Sequence, residues 1–582
     1  MRSARTTAGA LGAGCVLLIS ALGAGIAPGA SAAPKAPDGR SAPAHVASEG
    51  GGGEFVVAFE PSQEEAATAA VEAAGGVVVD VTEGAGVALV TSPDAGFLAE
   101  VREDAAIAGA ARNHSVGTSR PGMPHKFAAE RPSTTDRAAA AAPAPRKGSG
   151  KGKAAEPLAD LQWDMSMIGA TPDGAWKKAT GRGVTVGVID TGIDASHPDL
   201  ARNFSSQLSR NFTMDIPSID GPCEVATCID PANVDDGGHG THVAGTIGAA
   251  RNGLGIGGVA PDATLVNVRA GQDSGYFFLY ETVAALTYAG DAHLDVVNMS
   301  FYTDPWLYNC ESAADYVVGT PTAAEIADQA FIRSTVLAAL DYATDHGVTL
   351  VAAAGNGHTD LAQPLRFDAT SPDYPPGSEA DRTVTDNCLD LPSEGPDVVS
   401  VSAVGPSTAK SDYSNYGFGD VEISAPGGWF RDGFGTPTFQ TPGNLILSSY
   451  PLALAIAEGL ANPDGTPTDD FSVQSCKGGT CGFYTYLQGT SMASPHVAGV
   501  AALVIEAHGR GNPHHGYRLD PSTVRSILER TATDHACPAG GVEDYTQEGR
   551  TADWNAACQG TTADNGLYGE GIVNAAAAAG RR

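Results

Sequence analysis

The sequence predicts an α/β fold built on a mostly parallel sheet flanked by helices, with a small α+β unit ahead of it. Three observations carry this. Short, nearly unbroken apolar runs recur at 184–189, 264–268, 295–299, 349–354 and 398–404. Helical stretches separate most of these runs, and strands that are apolar on both faces belong in sheets covered on both sides, as parallel sheets are. At 582 residues the chain exceeds one small domain, so two folded units with linkers are expected.

The elements follow in chain order. Arg2 and Arg5 precede an Ala/Leu/Val/Gly run from about Ala8 to Ile26, and Ala30-Ser31-Ala32 offers small residues for cleavage. Residues 1–32 therefore read as a secretory signal peptide, whose glycine-broken run is short for a spanning helix. Residues 33–53 are of low complexity. Residues 54–116 read as strand, helix, hairpin, helix, strand: a strand at 54–59, a helix opened by a Ser62/Glu65 capping box, paired strands at 76–80 and 86–90, a helix at 94–103 and a strand at 107–116. That β-α-β-β-α-β order is the ferredoxin-like split. Residues 117–156 are rich in Ala, Pro, Gly, Ser, Arg and Lys and cannot bury much apolar area, so a disordered, cleavable linker is expected. Residues 157–582 hold the recurring strands.

A formal net charge of −33 argues against nucleic acid, whose phosphates call for Lys/Arg surfaces. It suits a solvated exterior and leaves room for divalent cations. With Cys15 set aside inside the signal segment, eight cysteines remain, an even number in a chain bound for export. Spacing suggests the pairs Cys223–Cys228, Cys310–Cys388, Cys476–Cys481 and Cys537–Cys558. Zinc is disfavoured, because the cysteines do not form two C-x-x-C units.

Chemistry concentrates in three short segments: Asp190-Thr191-Gly192, His239-Gly240-Thr241-His242, and Gly489-Thr490-Ser491-Met492-Ala493-Ser494-Pro495. A serine hydroxyl is a poor nucleophile until an imidazole takes its proton and a carboxylate fixes the imidazole tautomer. Ser491 opens a helix-like run with Pro495 in its first turn, which puts the serine at the positive helix end. Further segments accompany these: Ser196-His197-Pro198-Asp199-Leu200, Asn298-Met299-Ser300 and Ala352-Ala353-Ala354-Gly355-Asn356. Taken together and in this order, the segments resemble the subtilisin-like serine protease family over about residues 160 to 580.

The resemblance implies roles. Asp190 would orient His239, His239 would be the general base and Ser491 the nucleophile. The Ser491 N–H and the Asn356 side chain would hold the oxyanion, and His242 would be structural. Ser300, Ala353, Ala354 and Gly355 would line the substrate pocket. Phe301 and Tyr302 stand where relatives carry small residues and are expected to narrow it. Inserted segments at about 302–332, 359–384 and 429–485 show no core pattern and are expected to rim the cleft. Calcium is implied at Asp199, Ala250, Asn252, Leu254 and Ile256, with an N-terminal ligand near Asp160. The 54–116 unit is similar to the family's propeptide, a folding helper and inhibitor. The expectation is a secreted, monomeric, self-processing endopeptidase acting on proteins or peptides. Its own propeptide would be an intramolecular inhibitor, and neither nucleic acid nor membrane would be a partner. The rivals are a narrow processing protease or exopeptidase of the same fold, and a non-catalytic binding protein.

Overall fold

The computed structural model describes residues 53–114, 131, 156–514 and 516–580. The expected signal peptide, the 33–53 stretch apart from Gly53, and the 117–156 linker apart from Arg131 and Glu156 lie outside these residues.

The first unit runs β1 (Gly53–Phe59), α1 (Glu64–Ala73), β2 (Val77–Thr82), β3 (Val87–Ser92), α2 (Phe97–Val101) and β4 (Ile107–His114). Its sheet order is β2-β3-β1-β4, with every pairing antiparallel. Alternate residues divide its two faces: Phe55, Val57, Ala88 and Val90 pack under α1 and α2. The opposite residues, Val56, Val87 and Leu89, join a cluster of the main body. The expected capping box is absent. Gln63 is the N-cap and makes no side-chain cap bond, and Ser62 sits at φ +66°, outside cap geometry.

The main body opens with α3 (Trp163–Ile168), β5 (Thr185–Ile189), β6 (Arg210–Asn211), α4 (His239–Gly248), β7 (Thr264–Arg269), α5 (Leu279–Asp291) and β8 (Val296–Met299). It continues with β9 (Tyr316–Val318), α6 (Ala323–Asp345), β10 (Thr349–Ala353), β11 (Leu365–Asp368), β12 (Arg382–Thr385), β13 (Val398–Val404) and β14 (Ile423–Pro426). Then come β15 (Ile446–Ser449), α7 (Leu452–Ala457), β16 (Ser472–Lys477), β17 (Thr480–Leu487) and α8 (Thr490–His508). Seven strands form one sheet in the order β14-β13-β10-β8-β5-β7-β6, parallel throughout. α8 packs on one face with α4, while α5 and α6 cover the other. Burial on both faces explains why these strands read as unbroken apolar runs.

The inserted segments are more ordered than expected. β9, β11 and β12 come from two of them and form a three-stranded antiparallel sheet. Tyr308, Leu361, Val384 and the Cys310–Cys388 bridge give that sheet a core of its own. The third insertion builds another small sheet, ordered β15-β17-β16, whose β16–β17 hairpin is closed by Cys476–Cys481. The remaining bridges are Cys223–Cys228 and Cys537–Cys558, so all four pairs match the spacing-based pairing.

Candidate active site

Parallel sheets gather functional groups at the carboxyl ends of their strands, where following loops converge. Here β5, β8 and β10 are neighbours, and they end at Asp190, Ser300 and the 353–356 turn respectively. Asp190 follows β5 directly and is fully buried. His239 is the first residue of α4, and its Nδ1 lies 2.8 Å from Asp190 Oδ1, which also accepts the Thr191 N–H at 2.8 Å. Burial pushes the Asp190 carboxyl up, while His239 and the Thr191 N–H pull it back.

Two features make this approach close. A Cβ on Gly240 would stand 2.2 Å from the Gly192 carbonyl oxygen, so only glycine lets the head of α4 touch the turn after Asp190. Asp235 then pins both pieces. One of its oxygens accepts from Thr191 Oγ1 (2.9 Å) and Gly238 N (2.8 Å), and the other from Thr241 N (2.8 Å) and Thr241 Oγ1 (2.5 Å). Sequence reading passed over Asp235. Its signal was an Asp-Asp-Gly-Gly run before a helix, where a carboxylate can satisfy first-turn N–H groups.

Ser491 is the second residue of α8, so its N–H belongs to the group without an intrahelical acceptor. Asn356 reaches the same helix start: its Oδ1 accepts from Thr490 N and from Thr490 Oγ1, each at 2.9 Å. Committing that oxygen to Thr490 fixes which end of the amide is the donor. Thr490 is a second residue that sequence reading missed. The loop is steadied by Asn415, whose Nδ2 donates to Ala354 O at 2.8 Å and whose N donates to Gly355 O at 2.9 Å. Gly355 sits at φ +98°.

Pro495 falls inside α8, beyond its first turn, contrary to the sequence expectation. A proline there cannot donate to the carbonyl four residues back. That carbonyl belongs to Ser491, and Ser300 Oγ donates to it instead, at 3.2 Å. Ser300 Oγ also lies 2.9 Å from Ser494 Oγ and accepts from Asn298 Nδ2 at 2.9 Å. The end of β8 is thereby bonded to the head of α8.

The expected pocket needs one correction. Phe301 is bound up in the core as well: its ring stacks on Phe277 with centroids 4.0 Å apart, in the cluster that includes Trp306. Tyr302 reaches the 369–381 loop, where its hydroxyl donates to Asp373 Oδ2 at 2.6 Å. Ser300, Ala353, Ala354 and Gly355 remain together at the β8 and β10 ends. His242 is held by the Ile446 and Thr485 carbonyls, each 3.2 Å from Nε2. Burial chiefly, with the nearby His239, lowers its pKa to about 3, so it stays neutral, as a structural residue should.

Two oxygen-rich clusters lie apart from this centre. In the first, Asp199 accepts from Asn252 Nδ2 (2.9 Å), Ile256 N (3.0 Å) and Tyr484 Oη (2.7 Å). Glu156 accepts from Gly253 N at 2.6 Å on the same loop, so Glu156 rather than Asp160 is the N-terminal carboxylate here. Burial first, and the Asp199 charge besides, push Glu156 up despite that N–H. Loop N–H groups meet both carboxylates, and Asn252 turns its amide nitrogen to Asp199 while its Oδ1 accepts from Leu254 N at 2.8 Å, so a hard cation such as calcium would take its oxygens here by displacing these bonds. In the second, Asp215, Asp230 and Asp273 surround the buried Arg269, whose guanidinium reaches them at 3.0, 2.6 and 3.0 Å. Burial and neighbouring carboxylates raise Asp215 to about 7 and Asp273 to about 8, with Arg269 opposing. The arginine already supplies this cluster with a positive centre.

The parallel sheet and the site at its carboxyl edge define a hydrolase-like α/β protein. A profile of the Subtilase family of peptidases matches residues 181–570, and the chain belongs to that family. Fervidolysin of Fervidobacterium pennivorans is 29% identical over 388 residues, which is 65% of this chain and 41% of fervidolysin. The chain thus spans about two fifths of that relative's length. Subtilisin DY of Bacillus licheniformis is 27% identical over 399 residues, covering 69% of this chain and 92% of that one. Among solved structures, the epidermin leader peptide processing serine protease of Staphylococcus aureus superposes with a TM-score of 0.57 at 18% identity. It covers 91% of this chain and 98% of that one, a likeness of fold.

Proposed function

We propose that this chain is a serine endopeptidase made as a secreted, self-processing precursor. The observation that carries the reading is the buried 2.8 Å contact between His239 Nδ1 and Asp190 Oδ1 at the carboxyl end of β5, two strands from the 353–356 turn where Asn356 meets the head of α8. Nδ1–H donating to Asp190 leaves Nε2 as the basic nitrogen, the tautomer a general base needs. His239 takes the Ser491 proton as Oγ attacks a peptide carbonyl. The Ser491 N–H and Asn356 Nδ2 stabilise the tetrahedral oxyanion. His239 then protonates the leaving amine, and water, activated in turn by His239, releases the acyl group from Ser491.

The 53–114 unit is read as the propeptide. It lies on α5 and α6: Asn113 Nδ2 donates to Glu281 at 3.1 and 3.2 Å, and Asn113 Oδ1 accepts Tyr280 N at 2.8 Å. Arg102 pairs with Asp328 at 2.8 Å. Secretion is read from the N-terminal signal pattern. Among the described residues no helix is long and apolar enough to cross a membrane.

A serine-reactive phosphonate tests the reading. It should add one phosphonyl group, with loss of the reagent's leaving group, to the peptide carrying Ser491 in the folded, processed protein. A folded sample that takes up no label would favour the binding-protein rival.

Calcium is proposed at the Asp199 loop, held by Asp199, Asn252 and Glu156 side chains with carbonyls of Ala250, Leu254 and Ile256. Its role would be to hold that loop, not to act on substrate. Chelation is expected to lower the Tm by about 5–10 °C, reversed by excess calcium. A melting curve indifferent to both removes the ion from the account.

A further inference from the structure

One described residue of the 117–156 segment lies against the catalytic body, and its surroundings are specific. The Arg131 guanidinium donates to Tyr450 Oη at 2.5 Å and to Glu458 Oε2 at 2.9 Å. It also lies over the Tyr450 ring, 5.2 Å from the centroid. Tyr450 Oη in turn donates to Glu458 Oε2 at 2.9 Å. The three groups form a closed triangle: an acceptor carboxylate, a phenol oxygen and an aromatic face, all suited to a flat cation.

The place of this triangle matters as much as its chemistry. Tyr450 packs against the backbone immediately before His239: a Cβ on Gly238 would lie 2.6 Å from its ring. Leu454 of α7 lines the same approach. The Arg131 charge is among those that depress His242 one turn further along α4, after burial and His239. The oxyanion donors and the Ser300 and 353–355 wall come from β8, β10 and the head of α8. The head of α4 carries the imidazole that must hand its proton to the departing amine. A side chain seated beside Gly238 is therefore next to the segment that carries the proton donor for the departing amine.

We propose that Tyr450 and Glu458 form a subsite for an arginine side chain on the leaving-group side of the scissile bond, and that Arg131 is its occupant in the uncleaved chain. This rests on the peptidase reading above. It makes the 117–156 segment the enzyme's first substrate, cut on the amino-terminal side of Arg131, and it extends to other substrates a requirement for arginine a short distance after the bond. Glu458 sits on the third inserted segment, in the turn that follows α7. The preference is thus built on an insertion rather than on the parallel-sheet core.

Internally quenched peptides that carry Arg, Gln or Glu at each of the first three positions after the bond test this with the processed full-length enzyme. At one position, kcat/KM for Arg should exceed that for Gln by roughly tenfold. In Glu458→Gln that ratio should fall toward one, and in Glu458→Lys the Glu peptide should overtake the Arg peptide. The Arg131→Glu precursor should mature slowly, and Glu458→Lys should restore its maturation. Hydrolysis without an arginine preference, or a preference unchanged in both Glu458 variants, overturns the subsite while leaving the peptidase standing. Absence of hydrolysis of any peptide, together with absence of phosphonate label, overturns both.

Discussion

Ser491→Ala is expected to arrive in the medium at full precursor length less its signal peptide, with peptide hydrolysis reduced on the order of 10⁶-fold. The argument has two parts. On the proposed mechanism, removing Oγ removes the atom that forms the acyl bond, which leaves the rate of the oxyanion donors and substrate binding alone. The same loss should arrest maturation, because the bond to be cut is carried by the same chain. The folded state is not at stake: Ser491 is small and buried, and alanine keeps the helix start intact. Intact-mass measurement of the secreted protein checks the first part, and a fluorogenic peptide the second. A variant trimmed to the mature length in a protease-deficient host would refute autoprocessing without touching the hydrolytic role.

Asp190→Asn should lower kcat about 10⁴-fold while leaving the fold and KM nearly unchanged. An asparagine preserves shape at this fully buried position and can still accept the Thr191 N–H. If the amide instead turns its N–H₂ to His239, it gives up the Thr191 N–H, because one atom meets both, and it favours the tautomer that turns a proton, rather than a lone pair, toward the serine; with the oxygen kept there, the charge that stabilises the imidazolium is lost. Phosphonate labelling of Ser491 should slow in parallel, since it needs the same proton transfer. If kcat falls less than about tenfold with an unchanged melting temperature, the carboxylate is not the orienting group.

Much of this was legible beforehand, for reasons particular to each part. The five central strands were plain because burial on both faces leaves an unbroken apolar signature. Asp190, His239, Ser491 and Asn356 were singled out because each sits in a short segment of unusual composition. The misreadings have physical causes too. Phe301 was expected to narrow the pocket because relatives carry small residues there; in the structure its ring stacks on Phe277 in the core. The inserted segments looked structureless because their core is made of Tyr, Cys and isolated aliphatics on very short strands. Asp235 and Thr490 act only by holding other residues: the Asp-Asp-Gly-Gly run was the one local mark of Asp235, whereas Thr490 meets Asn356 and Gly355, which lie far away in sequence.

The proline within α8 has a mechanical consequence. In an ordinary helix the second residue is anchored by its own next turn, and a disturbance at the end of a neighbouring strand would be absorbed before reaching it. Here that anchor is cut and replaced by a hydroxyl from β8. Anything that leans on that strand end, a substrate's side chain included, pulls directly on the residue that bears the reacting oxygen. On the proposed mechanism, filling the pocket would then bear on the aim of the nucleophile through this one bond.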